Sequence, residues 1–196
     1  MAGGRAEEDA VLLARVAAGD ARAFATIYEM HRRPLYRLAY GVLLDPEEAR
    51  EAVQEAFLRL HRVAATWQPQ AAVGTWLYRV VLNHCLGLRQ RLVRLARPWL
   101  APRSPRTPEA ELVLDEAMAV VEDAMGRLPL RQRAVASLFL ESELTPSEIA
   151  PLLDITPNTA RVTLHRALRE LRAALEAKGI DATIDEEEVS EHADAP

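Results

Sequence analysis

The chain has 196 residues, 49% hydrophobic and 27% charged, with a formal net charge of −5, which leaves room for one or two compact domains with real cores. A single cysteine, Cys85, excludes an internal disulfide, and the sequence shows neither an apolar run of membrane-spanning length nor a secretory leader, which predicts a cytosolic protein. The acidity is uneven: residues 10–100 carry thirteen arginines against seven carboxylates, whereas residues 177–196 carry one lysine against seven. A basic first half is hidden behind an acidic tail.

In chain order, residues 1–8 read as a loose leader. From Asp9, apolar residues Val11, Leu12, Val16, Phe24, Ile27, Tyr28, His31, Leu35, Leu38 and Val42 recur at helical spacing. Gly19-Asp20 divides this run into a short helix and a longer one, with Asp20 capping the second and Arg32, Arg33 and Arg37 on its outer side. Asp45-Pro46-Glu47-Glu48 is a complete helix start, with Asp45 as N-cap, proline at the first position and Glu48 as capping-box partner. The helix that follows buries Ala49, Ala52, Val53, Ala56, Phe57, Leu60 and Val63. Its other face presents Glu47, Glu51, Gln54, Glu55 and Arg59, a poor surface for phosphates that is either solvated or docks a basic partner.

Residues 64–74 read as a connector, and a helix opens at Thr75 and runs to about Leu95. Arg79 and Asn83 lie four apart on one of its faces, continued by Gly87 and Arg91. With Trp67, Trp76 and Tyr78 nearby, that face suits unstacked single-stranded bases, which stack on rings and hydrogen-bond at their edges; the plain alternative for Trp76 is a core position. Arg89, Arg91, Arg94 and Arg97 make the helix end strongly basic, as phosphate contacts require. Residues 97–108 hold four prolines and form a semi-extended linker. Thr107-Pro108 then starts a helix with Leu112, Leu114, Met118, Val121 and Met125 as its apolar positions. Leu128-Pro129 ends it, and a further helix carries Val135, Leu138, Phe139 and Leu140.

The stretch from Thr145 to Leu175 holds two helix starts about eleven residues apart. Thr145-Pro146 with Glu148 is a capping box, Thr156-Pro157 repeats the cap-plus-proline signal, and Asp154 stands at the turn between them. Short helix, tight turn and longer helix make a helix-turn-helix. On the second helix, Ala160, Leu164, Ala167, Leu168, Leu171 and Leu175 form the buried stripe. Asn158, Arg161, Val162, His165 and Arg169 face outward, a set that suits a DNA major groove. The plain alternative is an ordinary helix pair with a solvated polar face. Beyond residue 177 the chain is polar, acidic and expected to be disordered. The sequence has no strand pattern, glycine-rich phosphate loop, metal-ligand spacing or nucleophile–base pair, so it predicts neither a cofactor, a metal site nor an enzyme.

The order of these pieces resembles the extracytoplasmic-function, or group-four, sigma factors of bacterial RNA polymerase, over residues 9–175. The residues that carry the resemblance are Ala18-Gly19-Asp20 with Phe24, Asp45-Pro46 with Val53-Gln54-Glu55-Ala56-Phe57, Trp76-Leu77-Tyr78-Arg79 with Asn83, Leu128-Pro129 with Gln132-Arg133, and Glu148-Ile149-Ala150 with Leu164-His165-Arg166-Ala167. It implies an all-α fold of two small helical domains: a region 2-like domain over residues 9–96, the linker 97–108, a region 4-like helix-turn-helix domain over 109–176, and the acidic tail 177–196. Glu51, Gln54 and Glu55 would bind the polymerase clamp. The connector at 66–74 with Trp76, Arg79, Asn83 and Arg91 would open and read the minus-ten element. Thr156, Asn158, Thr159, Arg161, Val162, His165 and Arg166 would read the minus-thirty-five element. The implied partners are core RNA polymerase and promoter DNA, with room for an anti-sigma factor.

The chain departs from the family pattern at Val73, Gly87, Asp154, Val162-Thr163 and Leu168. The last two sites lack the arginines usual there, which predicts fewer phosphate contacts and weaker duplex binding. Two rival readings share some of these residues. One is a degenerate sigma-like protein that binds polymerase or a regulator without initiating transcription; the other is a plain helix-turn-helix regulator, which has no need of the acidic-amide helix or the basic aromatic one.

Overall fold

The computed structural model describes residues 2–67, 72–95, 116–142 and 144–180, with side chains from 8 to 67, 72 to 87, 118 to 142 and 144 to 180. Among these residues the protein is all-α, built from α1 (Ala2–Ala17), α2 (Ala21–Leu43), α3 (Pro46–Val63), a 3-10 turn (Ala64–Thr66), α4 (Val73–Leu95), α5 (Glu116–Arg127), α6 (Leu130–Ser142), α7 (Pro146–Leu153) and α8 (Pro157–Glu176). The chain divides into two compact units, Met1–Arg89 and Gln90–Pro196. That division falls within α4, ahead of the proline-rich linker; residues 97–108, Thr107-Pro108, Leu112 and Leu114 lie outside the described residues. No described helix is long and apolar enough to cross a membrane.

In the first unit, α1 packs on α2 and on the 3-10 turn, and α2 packs along α3. The helix α1 starts at Ala2 rather than at Asp9, so residues 2–8 are helical and not a loose leader. Ala6, Glu7 and Glu8 are good helix formers, and propensity can extend a helix where no apolar stripe marks it. Leu13 and Val16 anchor α1 in the core, while Val11 is exposed. Gly19, at φ 87°, ends the helix with its N–H bonded to the Val16 carbonyl (2.9 Å) and the Asp20 N–H bonded to Arg15 (3.0 Å), a Schellman closure. Asp20 then caps α2 through the Arg22 and Ala23 N–H groups. Pro34 lies inside α2 without ending it.

Asp45 caps α3 through the Glu47 and Glu48 N–H groups, but the expected capping box is only half made. Glu48 leaves its Oε2 enclosed with no hydrogen-bond partner. Burial, and then the like charges of Glu51 and Asp45, raise the Glu48 carboxyl above its ordinary value, with His84 opposing. The α3 core is Ala49, Ala52, Val53, Ala56, Phe57 and Leu60, and Val63 is half-buried. The connector is shorter than expected, because residues 64–66 form the 3-10 turn and Val73 and Gly74 already belong to α4. Leu77, Val80, Val81, Leu82 and Cys85 seat α4, and burial pushes the Cys85 thiol up to about 12.

In the second unit, α8 packs against α5, α6 and α7. Met125 is buried and Val121 half-buried, but Met118 and Leu140 are exposed, against expectation. Arg133 is 2% exposed and donates from Nη2 to the carbonyls of Gly126 (2.9 Å) and Leu128 (3.3 Å). It thereby satisfies carbonyls left open at the end of α5. The tail begins later than residue 177: Gly179, at φ 70°, closes α8 with its N–H bonded to Glu176 (2.9 Å) and the Ile180 N–H bonded to Leu175 (3.1 Å). Residues 181–196 lie outside the described residues.

Candidate polymerase and promoter surfaces

Each unit turns a polar helix face outward. On α3, Glu51 and Gln54 are exposed, and Glu55 is half-buried. Glu55 accepts from Arg59 Nε at 2.7 Å and lies 3.8 Å from Arg62. The Arg59 hydrogen bond holds its carboxyl below the ordinary value. Of the three acidic-amide residues, only Glu55 is engaged by these arginines, so Glu51 carries the negative charge that a basic partner would meet first.

Gln54 also borders a groove between α2 and α3 with a volume of about 990 Å³. Its floor is aromatic: Tyr28 and Phe57 lie 4.8 Å apart between centroids, and Phe24 meets Phe57 edge-on at 6.2 Å. Arg32, Arg33, Arg37 and Arg50 rim it. Sequence periodicity assigned Tyr28 to the core, yet it is exposed beside the exposed Leu58. The groove was missed because each of its walls looks like an ordinary amphipathic helix; only the pairing of α2 with α3 creates it.

On α4, Arg79 and Asn83 are exposed on one face. Trp76 is half-buried, its ring 5.5 Å from Trp67 at an interplanar angle of 82°, so it is partly a packing residue and partly accessible. Arg91 and the arginines after it lie outside the described side chains. The residues that begin α4 are held from three directions. Val73 N–H donates to Asp9 Oδ2 at 3.0 Å, across 64 residues of sequence. A Cβ on Gly74 would stand 3.1 Å from the His31 ring, so α2 closes on the helix there. The Trp67–Trp76 contact ties it to the end of the 3-10 turn.

In the helix-turn-helix, Thr145 and Glu148 form the full capping box, and Asp154 takes a left-handed conformation at φ 55°. That backbone costs an L-residue energy, least for Asp and Asn, and is where glycine is usual. Thr156 caps α8 by accepting from Thr159 N–H at 3.1 Å, and the two hydroxyls share a hydrogen bond at 2.8 Å. Thr156, Asn158, Thr159, Arg161, Val162, His165 and Arg166 are all exposed. The six residues expected to form the buried stripe of α8 are all buried. Leu168, 8% exposed, is among them, with its side chain in the core. Val162, by contrast, is 42% exposed, and the Thr163 hydroxyl is spent on the Thr159 carbonyl at 2.6 Å.

The first unit thus carries an acidic-amide helix and a helix with exposed Arg79 and Asn83 beside a tryptophan pair, and the second ends in a helix-turn-helix. Residues 27–101 match the family Sigma-70 region 2, and residues 118–171 match Sigma-70, region 4. The chain is 35% identical over 175 residues to the ECF RNA polymerase sigma factor SigM of Mycobacterium tuberculosis, covering 88% of each chain. It is 28% identical to the RNA polymerase sigma-H factor of Pseudomonas aeruginosa, covering 87% of this chain and 95% of that one. The fold also matches that of the sigma factor RpoE solved with the anti-sigma factor NepR from Bartonella quintana, at TM-score 0.67 and 17% identity, covering 80% of this chain and 98% of that one. This chain belongs to the extracytoplasmic-function family of RNA polymerase sigma factors.

Proposed function

We propose that this sigma factor carries its three tasks on three separate helix faces. Glu51, Gln54 and Glu55 on α3, with the groove beside them, dock core RNA polymerase. Trp76, Arg79, Asn83 and Arg91 on α4 capture the unpaired non-template strand of the minus-ten element. The exposed set of α8, Thr156, Asn158, Thr159, Arg161, Val162, His165 and Arg166, reads the minus-thirty-five element in the duplex. The domain limits that go with these roles are 9–96, 97–108 and 109–176, and the site of action is the cytoplasm.

The observation that carries the reading is the exposed Arg79–Asn83 pair on α4, next to the Trp67–Trp76 contact. Guanidinium, amide and indole groups together can hydrogen-bond and stack with an unpaired base. Burial of Leu168 gives it a packing role, so its apolar side chain is not by itself a mark of the degenerate sigma-like protein. An anti-sigma factor fits as a competing partner, because a protein seated on the α2–α3 groove would block the polymerase surface.

The test is transcription in vitro with the cognate core polymerase, this protein and fragmented DNA from its own organism. Specific new transcripts, with mapped starts, are the expected result. Binding to core without transcripts would favour the sigma-like interaction protein, and no binding to an active cognate core would overturn the reading.

A further inference from the structure

We propose that Asp9 is a positioning residue for promoter opening: from α1 it supplies the N-cap that α4 lacks locally, and so sets where Trp76, Arg79 and Asn83 stand. The inference rests on the reading of α4 as the helix that captures the opened strand.

A helix begins with N–H groups that have no intrahelical partner, and Ser, Thr, Asp or Asn just before it ordinarily satisfies one of them. The residue before α4 is Ala72, which has no side-chain acceptor. Its carbonyl accepts the Trp76 N–H at 3.2 Å, but it can do nothing for the open N–H groups. The acceptor comes instead from Asp9, whose Oδ2 takes the Val73 N–H at 3.0 Å in a buried hydrogen bond. Asp9 is 6% exposed, one of few charged groups so deep among the described residues, and Val73 is fully buried. A carboxylate is also the right charge for this place, since a helix N-terminus carries partial positive charge.

The geometry limits what Asp9 can influence. It sits at the first turn of α4, and Trp76, Arg79 and Asn83 follow over the next three turns on a helix already seated by Leu77, Val81 and Leu82. Among the described residues its hydrogen bond runs to α4 and none joins it to Glu51, Gln54 or Glu55. Loss of the cap therefore frees the first turn of α4 and leaves the docking surface in place. An acid buried only for general stability would have no reason to act on one surface and spare the other.

The test uses holoenzyme assembled from full-length protein and cognate core, on a duplex promoter fragment mapped by transcription in vitro. Asp9→Ala should slow open-complex formation about tenfold, the weight of one lost cap, with core binding unchanged. Asp9→Asn, which keeps an acceptor but not the charge, should fall between the two. Ala72→Asp added to Asp9→Ala moves the cap to its local position, where the carboxylate can accept from the Gly74 and Thr75 N–H groups, and should restore opening and the hydrogen-exchange protection of those two amides. Equal losses in core binding and opening, or normal opening by a folded Asp9→Ala protein, would overturn the proposal. So would failure of Ala72→Asp to restore opening once protection at Gly74 and Thr75 has returned. If Asp9→Ala does not fold, Asp9→Asn and its Ala72→Asp double variant carry the same comparison. Arg79→Ala/Asn83→Ala is the control: normal opening by that variant defeats the reading of α4 itself, whereas loss there with normal opening by Asp9→Ala defeats only the role of Asp9.

Discussion

The two units secure α8 and α4 in opposite ways. In the second, α7 and α8 are each capped by the threonine immediately before them, Thr145 and Thr156, and the turn between them is closed by Asp154. The exposed face of α8 needs little beyond its own sequence to be in register. In the first, α4 has Ala72 before it and depends on Asp9, on His31 against Gly74 and on Trp67 against Trp76. Its face is set by three other segments of the unit. A local device tolerates change elsewhere; a distributed one couples the face to the whole fold.

The sharpest way to break this comparison is to remove the α4 face itself. Arg79→Ala/Asn83→Ala should reduce open-complex formation about a hundredfold, given about 1–3 kcal/mol for each hydrogen-bond partner removed, with core affinity retained; unchanged opening in a permanganate footprint would take the strand contact away from α4. Next in size, Glu51→Lys/Glu55→Lys should weaken core binding by about tenfold through like-charge repulsion with a basic partner. An unaltered equilibrium titration would remove α3 from the interface. A smaller effect is expected at the local cap. Thr156→Ala should cost about 1 kcal/mol, read as a lower melting temperature of the second unit, while the first keeps its transition; a shift of both would show that the second unit is not held locally.

The smallest effect concerns Glu48, held above its ordinary carboxyl value by burial and by Glu51 and Asp45, against the opposing influence of His84. The folded protein binds that proton more tightly than the unfolded chain does. Its contribution therefore favours folding below the ordinary carboxylate range and is lost as pH rises through the folded value. Glu48→Gln should raise the melting temperature slightly at neutral pH and leave it nearly unchanged near pH ~4. Equal shifts at both values would show that Glu48 stays uncharged or makes an unseen hydrogen bond.

What the sequence disclosed follows the same division. Thr145, Glu148, Asp154 and Thr156 announce their roles within a few residues, and the buried stripe of α8 follows from its period alone. The exposed faces of α3 and α4 were legible too, since their cores repeat at helical spacing. Asp9 reads only as the first residue of an apolar run, because nothing near it says that its partner lies 64 positions away. Arg133 was legible only as part of a motif; its burial depends on α5 ending with open carbonyls beside it. Tyr28 looked like core because the period that places it beside Phe57 does not say which side of the pair meets solvent. Long-range partners and the gaps between helices are properties of assembly, and a one-dimensional pattern does not contain them.

The Asp9–Val73 hydrogen bond also imposes an order of events on synthesis. Asp9 leaves the ribosome long before Val73, so α1 can form early yet has no helix to cap until the polypeptide has grown by another 64 residues. A contact of that sequence separation is among the slower ones to form. The helix α4 is thus completed late, and a translation product that starts downstream of Asp9 would keep Trp76, Arg79 and Asn83 while lacking the group that caps their helix.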